Sequence, residues 1–382
     1  MKSKFLNSLI LAALAVPGVA MAADAPAAAP APTLSSVLDA SGVSLSGDMD
    51  FSYSRLSGSG QFATGVGALN DRVFDYAHNS FTVQAIDLTV AKLPAEGYGG
   101  LVDLTLGKDA STIASFGTVG PGQIQTYDIT QAFVQYATGN WTTIAGKFNT
   151  LAGQEVIKTS GNTNFSRSIL FGYAIPFTHT GARATYKVSD AVSLIGGVNN
   201  GWDQATDVNS QKTIELGAAL NPAKSFALTA QFYSGAEQGN PGQGQGTRNL
   251  LDLVGTFTVS DSLNFVLNYD YGSQENAVVA GAKAKWNGLA GYANYQINDL
   301  WRVSGRAEIF KDTDGYRTGV NLNTGGQKWK EVTLTVGYAP TKSTELRGEV
   351  RRDASDQAAF GYNDGIARKA QSSLGLEAIY KF

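Results

Sequence analysis

The chain has 382 residues, 29 of them Lys or Arg and 32 Asp or Glu, for a formal net charge of −3; that balance excludes a broadly basic nucleic-acid binder. It contains no Cys, so neither a disulfide framework nor a thiol nucleophile is available to it. Apolar residues make up 43% of it, yet its mean hydropathy is −0.11, and after the N-terminal segment no apolar run reaches the ~18 residues that a membrane-spanning helix needs.

Met1-Lys2-Ser3-Lys4 carries two positive charges, an apolar run extends from Phe5 to Val19, and Ala20-Met21-Ala22 has the small-x-small form of a cleavage site. Residues 1–22 therefore read as a secretory signal cut after Ala22, and the mature chain as exported. Loss of Lys2 and Lys4 takes the formal net charge from −3 to −5. Ala23 to Thr33 is a tether in which Pro26, Pro30 and Pro32 oppose folding, which predicts a flexible periplasmic leader. Leu34, Val37 and Leu38 then stand at helical spacing. A short plug or a helix at a barrel mouth fits that spacing, and an irregular lead-in to the first strand is the simpler expectation; 23–42 reads as leader with a short helix.

From Val43 the period changes to two. Val43, Leu45, Met49, Phe51 and Tyr53 share one face, and Ser44, Ser46, Asp48, Asp50, Ser52 and Ser54 share the other, because successive strand side chains point to opposite sides. The alternation returns at Leu251–Val259, Leu263–Tyr271, Trp301–Ile309 and Glu345–Arg351. In an exported chain this pattern predicts that 43–382 is all-β, a transmembrane antiparallel β-barrel of about 16 strands, greasy outside and wet within. Short turns such as Pro94-Ala95-Glu96, Thr138-Gly139-Asn140 and Ser189-Asp190 alternate with longer segments such as Gly235 to Thr247 and Asp353 to Lys369. That is the expected alternation of short periplasmic turns and long extracellular loops. The strand from Phe81 to Leu93 changes phase near Ala85-Ile86, which predicts a bulge, and the 16 Tyr and 18 Phe suit girdles at the two membrane interfaces. Ser372, Leu374, Leu376, Ala378, Tyr380 and Phe382 end the chain on one face. A terminal aromatic behind such a run resembles the signal read by the outer-membrane barrel insertion machinery, with Tyr380 and Phe382 as its aromatic part.

The longest connection runs from about Thr150 to Phe177 and follows the fifth strand, which makes it the third long loop. Around it lie Gly146-Lys147-Phe148, Gly153-Gln154-Glu155, Asn164-Phe165-Ser166-Arg167-Ser168, Pro176-Phe177-Thr178-His179-Thr180-Gly181 and Asn199-Asn200-Gly201-Trp202-Asp203, with Arg306-Ala307-Glu308-Ile309-Phe310-Lys311-Asp312 and Gly315-Tyr316-Arg317-Thr318-Gly319 further on. In this order the motifs resemble the β-barrel porin-2 (OmpL-like) family over essentially all of the chain after the tether. The resemblance implies an outer-membrane barrel with porin activity and no catalytic residues. Third loops of sixteen-stranded porins fold inward and narrow the lumen, and this one looks similar, with Glu155, Lys158 and Arg167 as the predicted constriction. There the field is least screened, so a single charge biases which ions pass. A compatible reading has Glu155 and Arg167 pairing with each other to pin the loop.

By phase, Lys147, Arg183, Asp252, Asp270, Arg302, Arg306, Glu308, Glu345, Arg347, Glu349 and Arg351 face the lumen. The alternation of Glu345 and Glu349 with Arg347 and Arg351 fits a transverse charge ladder that orients solutes, or ordinary wall pairing; the excess of acids points toward cations. Signals for chemistry are poor. The two histidines are His78 and His179, and a structural hydrogen bond at the loop base is the expected role of His179 rather than an acid–base pair. Asp312-Thr313-Asp314-Gly315 opens like a calcium loop but continues with Arg317 and Asn323 where Gly and Glu are needed. Gly239 to Gly244 lacks the Lys-Ser/Thr of a phosphate loop. No metal, no cofactor and no enzymatic activity are predicted. The expected function is passive diffusion of small hydrophilic solutes or ions, ahead of a surface receptor or adhesin and of an outer-membrane hydrolase. The expected partners are outer-membrane lipid, the permeating solutes, the insertion machinery and, by analogy, two further copies in a homotrimer.

Overall fold

The computed structural model describes residues 32–58, 72–74, 78–116, 126–238, 244–277, 281–319 and 326–382. Sixteen strands form one closed antiparallel barrel in which each strand pairs with its neighbours in sequence and the first closes on the last. They are β1 (Ser44–Leu56), β2 (Ser80–Lys92), β3 (Gly97–Leu106), β4 (Tyr127–Thr138), β5 (Trp141–Asn149), β6 (Thr178–Ser189), β7 (Val192–Asn199) and β8 (Thr213–Ala223). There follow β9 (Phe226–Gln238), β10 (Gln245–Ser260), β11 (Leu263–Glu275), β12 (Lys283–Gln296), β13 (Trp301–Asp312), β14 (Gln327–Thr341), β15 (Thr344–Ser355) and β16 (Ala370–Lys381). Among the described residues three short α-helices accompany them: α1 (Leu34–Ser41), α2 (Lys108–Ile113) and α3 (Ile169–Tyr173). Closure leaves no strand edge unpaired, which is what a sheet in hydrocarbon requires.

The alternation read from the sequence gives the barrel its two faces. Phe51, Leu251, Phe257, Leu267 and Val350 are exposed on the outer wall, while Asp50, Asp252, Asn268 and Glu349 on the alternate positions are buried inside. On the short-turn rim the outer wall carries aromatic pairs: Tyr98 with Tyr136 at 4.8 Å between ring centroids, Trp141 with Tyr186 at 4.5 Å, Phe226 with Phe257 at 5.0 Å and Trp301 with Tyr338 at 4.6 Å. These rings form the girdle expected where hydrocarbon meets headgroups. The seam closes at the C-terminus, where the Phe382 N–H donates to the Gly47 carbonyl and the Gly47 N–H to that of Phe382, both at 3.0 Å. The Phe382 ring covers Gly47, so that a Cβ built there would meet it at 2.4 Å.

The predicted bulge is present. Asp50 pairs with Ala85 and Phe51 with Val83, which leaves Gln84 as the extra residue. The helical spacing of Leu34, Val37 and Leu38 corresponds to α1 rather than to an irregular lead-in: the Thr33 side chain caps it, Gly42 at φ 67° ends it, and none of its residues is buried, so it is no plug. One other expectation is corrected. The segment from Gly235 to Thr247 is largely strand, because β9 runs to Gln238 and β10 starts at Gln245, leaving a connection about half as long as the composition implied. The signal and most of the Ala/Pro tether lie outside the described residues, as does most of Gly239 to Gly244.

Candidate functional site: the lumen and its third loop

The loop between β5 and β6, here L3, is the third long loop and folds into the barrel as predicted. Its neck closes where the Thr150 N–H donates to the Phe177 carbonyl at 2.9 Å. From there it crosses to the inner wall of β12 to β16. Its apolar end, Ile169 to Phe177, packs with wall residues Trp286, Phe310 and Tyr233 in a cluster that also takes in Phe74, Ile113, Trp202 and Phe360 from other loops. The inward phase of β9 to β14 thus carries large apolar side chains on the long-loop side. The sequence reading missed them because it weighed that face only by its charges; Leu250, Trp286, Phe310 and Trp329 lie in the same phase as Asp252, Gly288, Glu308 and Glu331.

The charged panel of β13 to β16 is occupied by L3 rather than free to act on solutes. Glu308 accepts the N–H groups of Ile169 and Leu170 at 2.7 and 3.1 Å, at the exposed-donor end of α3. Glu349 accepts those of Phe165 and Ser166 at 2.8 and 3.1 Å. The arginines take the loop's carbonyls: Arg302 donates to Thr163 at 2.6 Å, Arg347 to Asn162 at 2.9 Å, Arg306 to Ser166 at 2.6 Å and Arg351 to Arg167 at 2.6 Å. A backbone without regular structure leaves donors and acceptors that must be satisfied when buried. Here acids take the donors and arginines the acceptors, which explains why both signs alternate on one wall. The ladder is in addition internally paired, with Arg302 and Arg347 on Glu345, Arg347 on Glu377 and Arg351 on Asp353.

Arg306 is the centre of this docking. Its guanidinium bonds Glu155 of L3 at 2.7 Å and Glu331 of β14 at 2.9 Å, and none of its side chain is accessible. Glu155 spends its other oxygen on the Ser168 N–H at 2.6 Å. The predicted Glu155–Arg167 pair is therefore not formed. Arg167 turns back on its own loop, donating to the carbonyls of Ile157 at 2.5 Å and Phe165 at 3.1 Å, with its guanidinium 5.2 Å from the Phe74 ring centroid. Lys158 crosses to the opposite wall and pairs with Asp103 at 3.1 Å; of the three predicted constriction residues it alone keeps notable solvent contact, its side chain being 27% exposed.

The remaining predicted lumen residues face inward. Lys147 pairs with Asp128 at 2.9 Å, and Arg183 with Glu215 at 2.9 Å. Asp252 and Asp270 oppose each other across β10 and β11, with Asn268 donating to Asp252 at 2.7 Å. Asn268 in turn accepts the Gln154 N–H of L3 at 3.1 Å. His179 is fully buried, stacked on Tyr233 at 4.9 Å and 3.3 Å from the Gly201 carbonyl, the structural role expected of it. Asp312 caps the N–H groups of Tyr316, Arg317 and Thr318 instead of opening a calcium loop. Sequence reasoning missed Arg72, which reaches in from the first long loop to Asp353 at 2.6 Å, and Glu331, which strand phase marks as inward.

In the fourth loop, Asp203 accepts the N–H groups of Phe177 and Thr178 at 2.8 and 2.9 Å, holding the far side of the L3 neck. Burial pushes its carboxyl above the usual carboxylate range, and these two hydrogen bonds offset part of that rise.

The similarities to known proteins agree with this architecture. Solved barrels cover most of the chain at low identity. The anion-selective porin from Comamonas acidovorans has a TM-score of 0.59 at 12% identity, covering 89% of this chain and 99% of that one. The outer membrane protein OmpT of Vibrio cholerae gives 0.58 at 12%, covering 89% and 97%, and Pseudomonas putida OprB 0.57 at 12%, covering 91% and 96%. At such identities they establish a shared fold. None of the curated proteins matches the chain in sequence. The family model described as "putative beta-barrel porin-2, OmpL-like" matches residues 42–382, the whole barrel, and the chain belongs to that family of outer-membrane porins.

Proposed function

We propose that the protein is a passive diffusion channel for small hydrophilic solutes or ions, without enzymatic activity. One observation carries the reading: the barrel is apolar outside and polar inside, with a loop held across its lumen at a fixed depth by the wall. A barrel of this strand number encloses space that side chains alone do not fill, and a docked loop sets its bore. Lys158, with Glu155 and Arg167 behind it, is the group of L3 best placed to act on what passes. The chain reaches the outer membrane after cleavage at Ala22, Tyr380 and Phe382 serve the insertion machinery, and three copies associate. In planar bilayers the purified protein should give steady single-channel conductance, with a reversal potential that moves when Lys158 is neutralised. A barrel that stays sealed at all voltages would refute the reading.

A further inference from the structure

The lumen's charges are spent unevenly. On β13 to β16 they hold L3, and on the facing wall Lys147–Asp128, Arg183–Glu215 and Lys158–Asp103 are closed pairs. Among the other luminal charges, Arg302 and Glu345, with side chains 17% and 10% exposed, bond each other, and Asp48, 9% exposed, accepts from the Ser160 hydroxyl of L3. On the inner face of β4 to β8, Lys187 at the short-turn end pairs with Asp190 of the turn at 2.7 Å, and the rest of what stays in contact with solvent is neutral. Phe133, Ile144, Thr185, Ile195 and Ala219 lie in the inward phase and are half-buried. Their strand neighbours Val134, Leu194 and Leu216 are the ones exposed on the outer wall. Inside the barrel, L3 itself leaves Leu151 and Val156 at 40% and 44% exposure.

We propose that the solutes this lumen passes are uncharged molecules bearing an apolar face, not ions sorted by charge. The proposal rests on the diffusion reading above. Selectivity for ions needs charges whose field reaches the permeating ion, and a paired charge presents to solvent little more than a dipole. An apolar strip beside a wet passage adsorbs the apolar face of a solute and leaves its hydroxyls in water.

The test uses the full mature chain in phospholipid vesicles, with arabinose, a phenyl glucoside and sodium gluconate as swelling probes, and reversal potentials in a potassium chloride gradient. Arabinose should enter about fivefold faster than gluconate, the phenyl glucoside should outpace an unsubstituted disaccharide of similar size, and the cation-to-anion permeability ratio should lie within about twofold of one. Ile195→Asp should raise that ratio at least about threefold, because it puts an unpaired charge on the free wall; Thr185→Asp reads the same wall from an already polar position if the first variant does not fold. Wild-type selectivity above about tenfold, or gluconate entering as fast as arabinose, would overturn the proposal and leave the diffusion reading standing. Absence of both swelling and conductance would overturn both.

Discussion

Arg306 shows how a charge can be structural inside a pore. With no accessible side-chain surface it serves Glu155, Glu331 and the Ser166 carbonyl at once. Removing one member of a buried ionic cluster strands the others, a change of about 3–5 kcal/mol. Arg306→Ala should therefore free L3, seen as faster amide exchange at Ser168 and Ile169 and a lower urea midpoint. Arg306→Lys should fall between, since an ammonium keeps the charge but not the planar fork. Asp203 gives a pH signature. Its carboxyl is raised by burial, so the stability it contributes is present below the unfolded-state value and lost as pH climbs through the raised folded value. The urea midpoint should accordingly fall as pH climbs from below the ordinary carboxylate range through the raised folded value, while the Phe177 and Thr178 amides stay protected because their hydrogen bonds favour the ionised form; Asp203→Asn, which keeps an acceptor but no charge, should abolish the trend. Equal trends in both proteins would show that another group is responsible.

The strands make their own predictions, because each position has only two sides. Leu253 lies on the outer phase of β10 and Asp252 on the inner. Leu253→Arg should cost about 2–4 kcal/mol of barrel stability by placing a cation against lipid. Asp252→Asn should assemble as well as wild type and be neutral or stabilising, because it replaces one of two opposed carboxylates while keeping an acceptor for Asn268. Folded-barrel migration in unheated gels separates the two outcomes; similar losses would mean that the faces are assigned the wrong way round. At the seam, Gly47 is crowded by the Asp87 carbonyl and by Phe382, each 2.4 Å from a Cβ built there. Gly47→Val should lower the yield of folded barrel, with an overpacking cost of about 1–3 kcal/mol, whereas the same change at Gly196, where nothing lies within 4 Å, should not.

For the molecule as a whole, all sheet pairing is between sequence neighbours apart from the β1–β16 seam, and L3 contributes nothing to that ladder. A chain lacking residues 155–168 should still fold to a barrel, and its conductance should rise severalfold, since the loop narrows the bore without closing the wall. Failure of that chain to fold would show that the docking of residues 155–168 on the charged wall is needed to complete the barrel. The apolar cluster around Trp286 and Phe310 is where the sequence was hardest to read. Its members come from strands and loops far apart in the chain, and Trp286 finds its partner in the Ala174 carbonyl, 112 residues away, at 3.0 Å.

Strand phase and turn spacing followed from the residues alone, since a period of two against lipid leaves each side chain one of two environments; the inward third loop came from the family resemblance. Glu345, Arg347, Glu349 and Arg351 could be placed on the inner wall on that basis. Their use could not, because a charge on a strand records which way it points and nothing about what stands opposite. Only the folded chain brings the Ser166 carbonyl to Arg306 and the Phe165 N–H to Glu349, turning a wall that reads as a field across water into a cradle for irregular backbone.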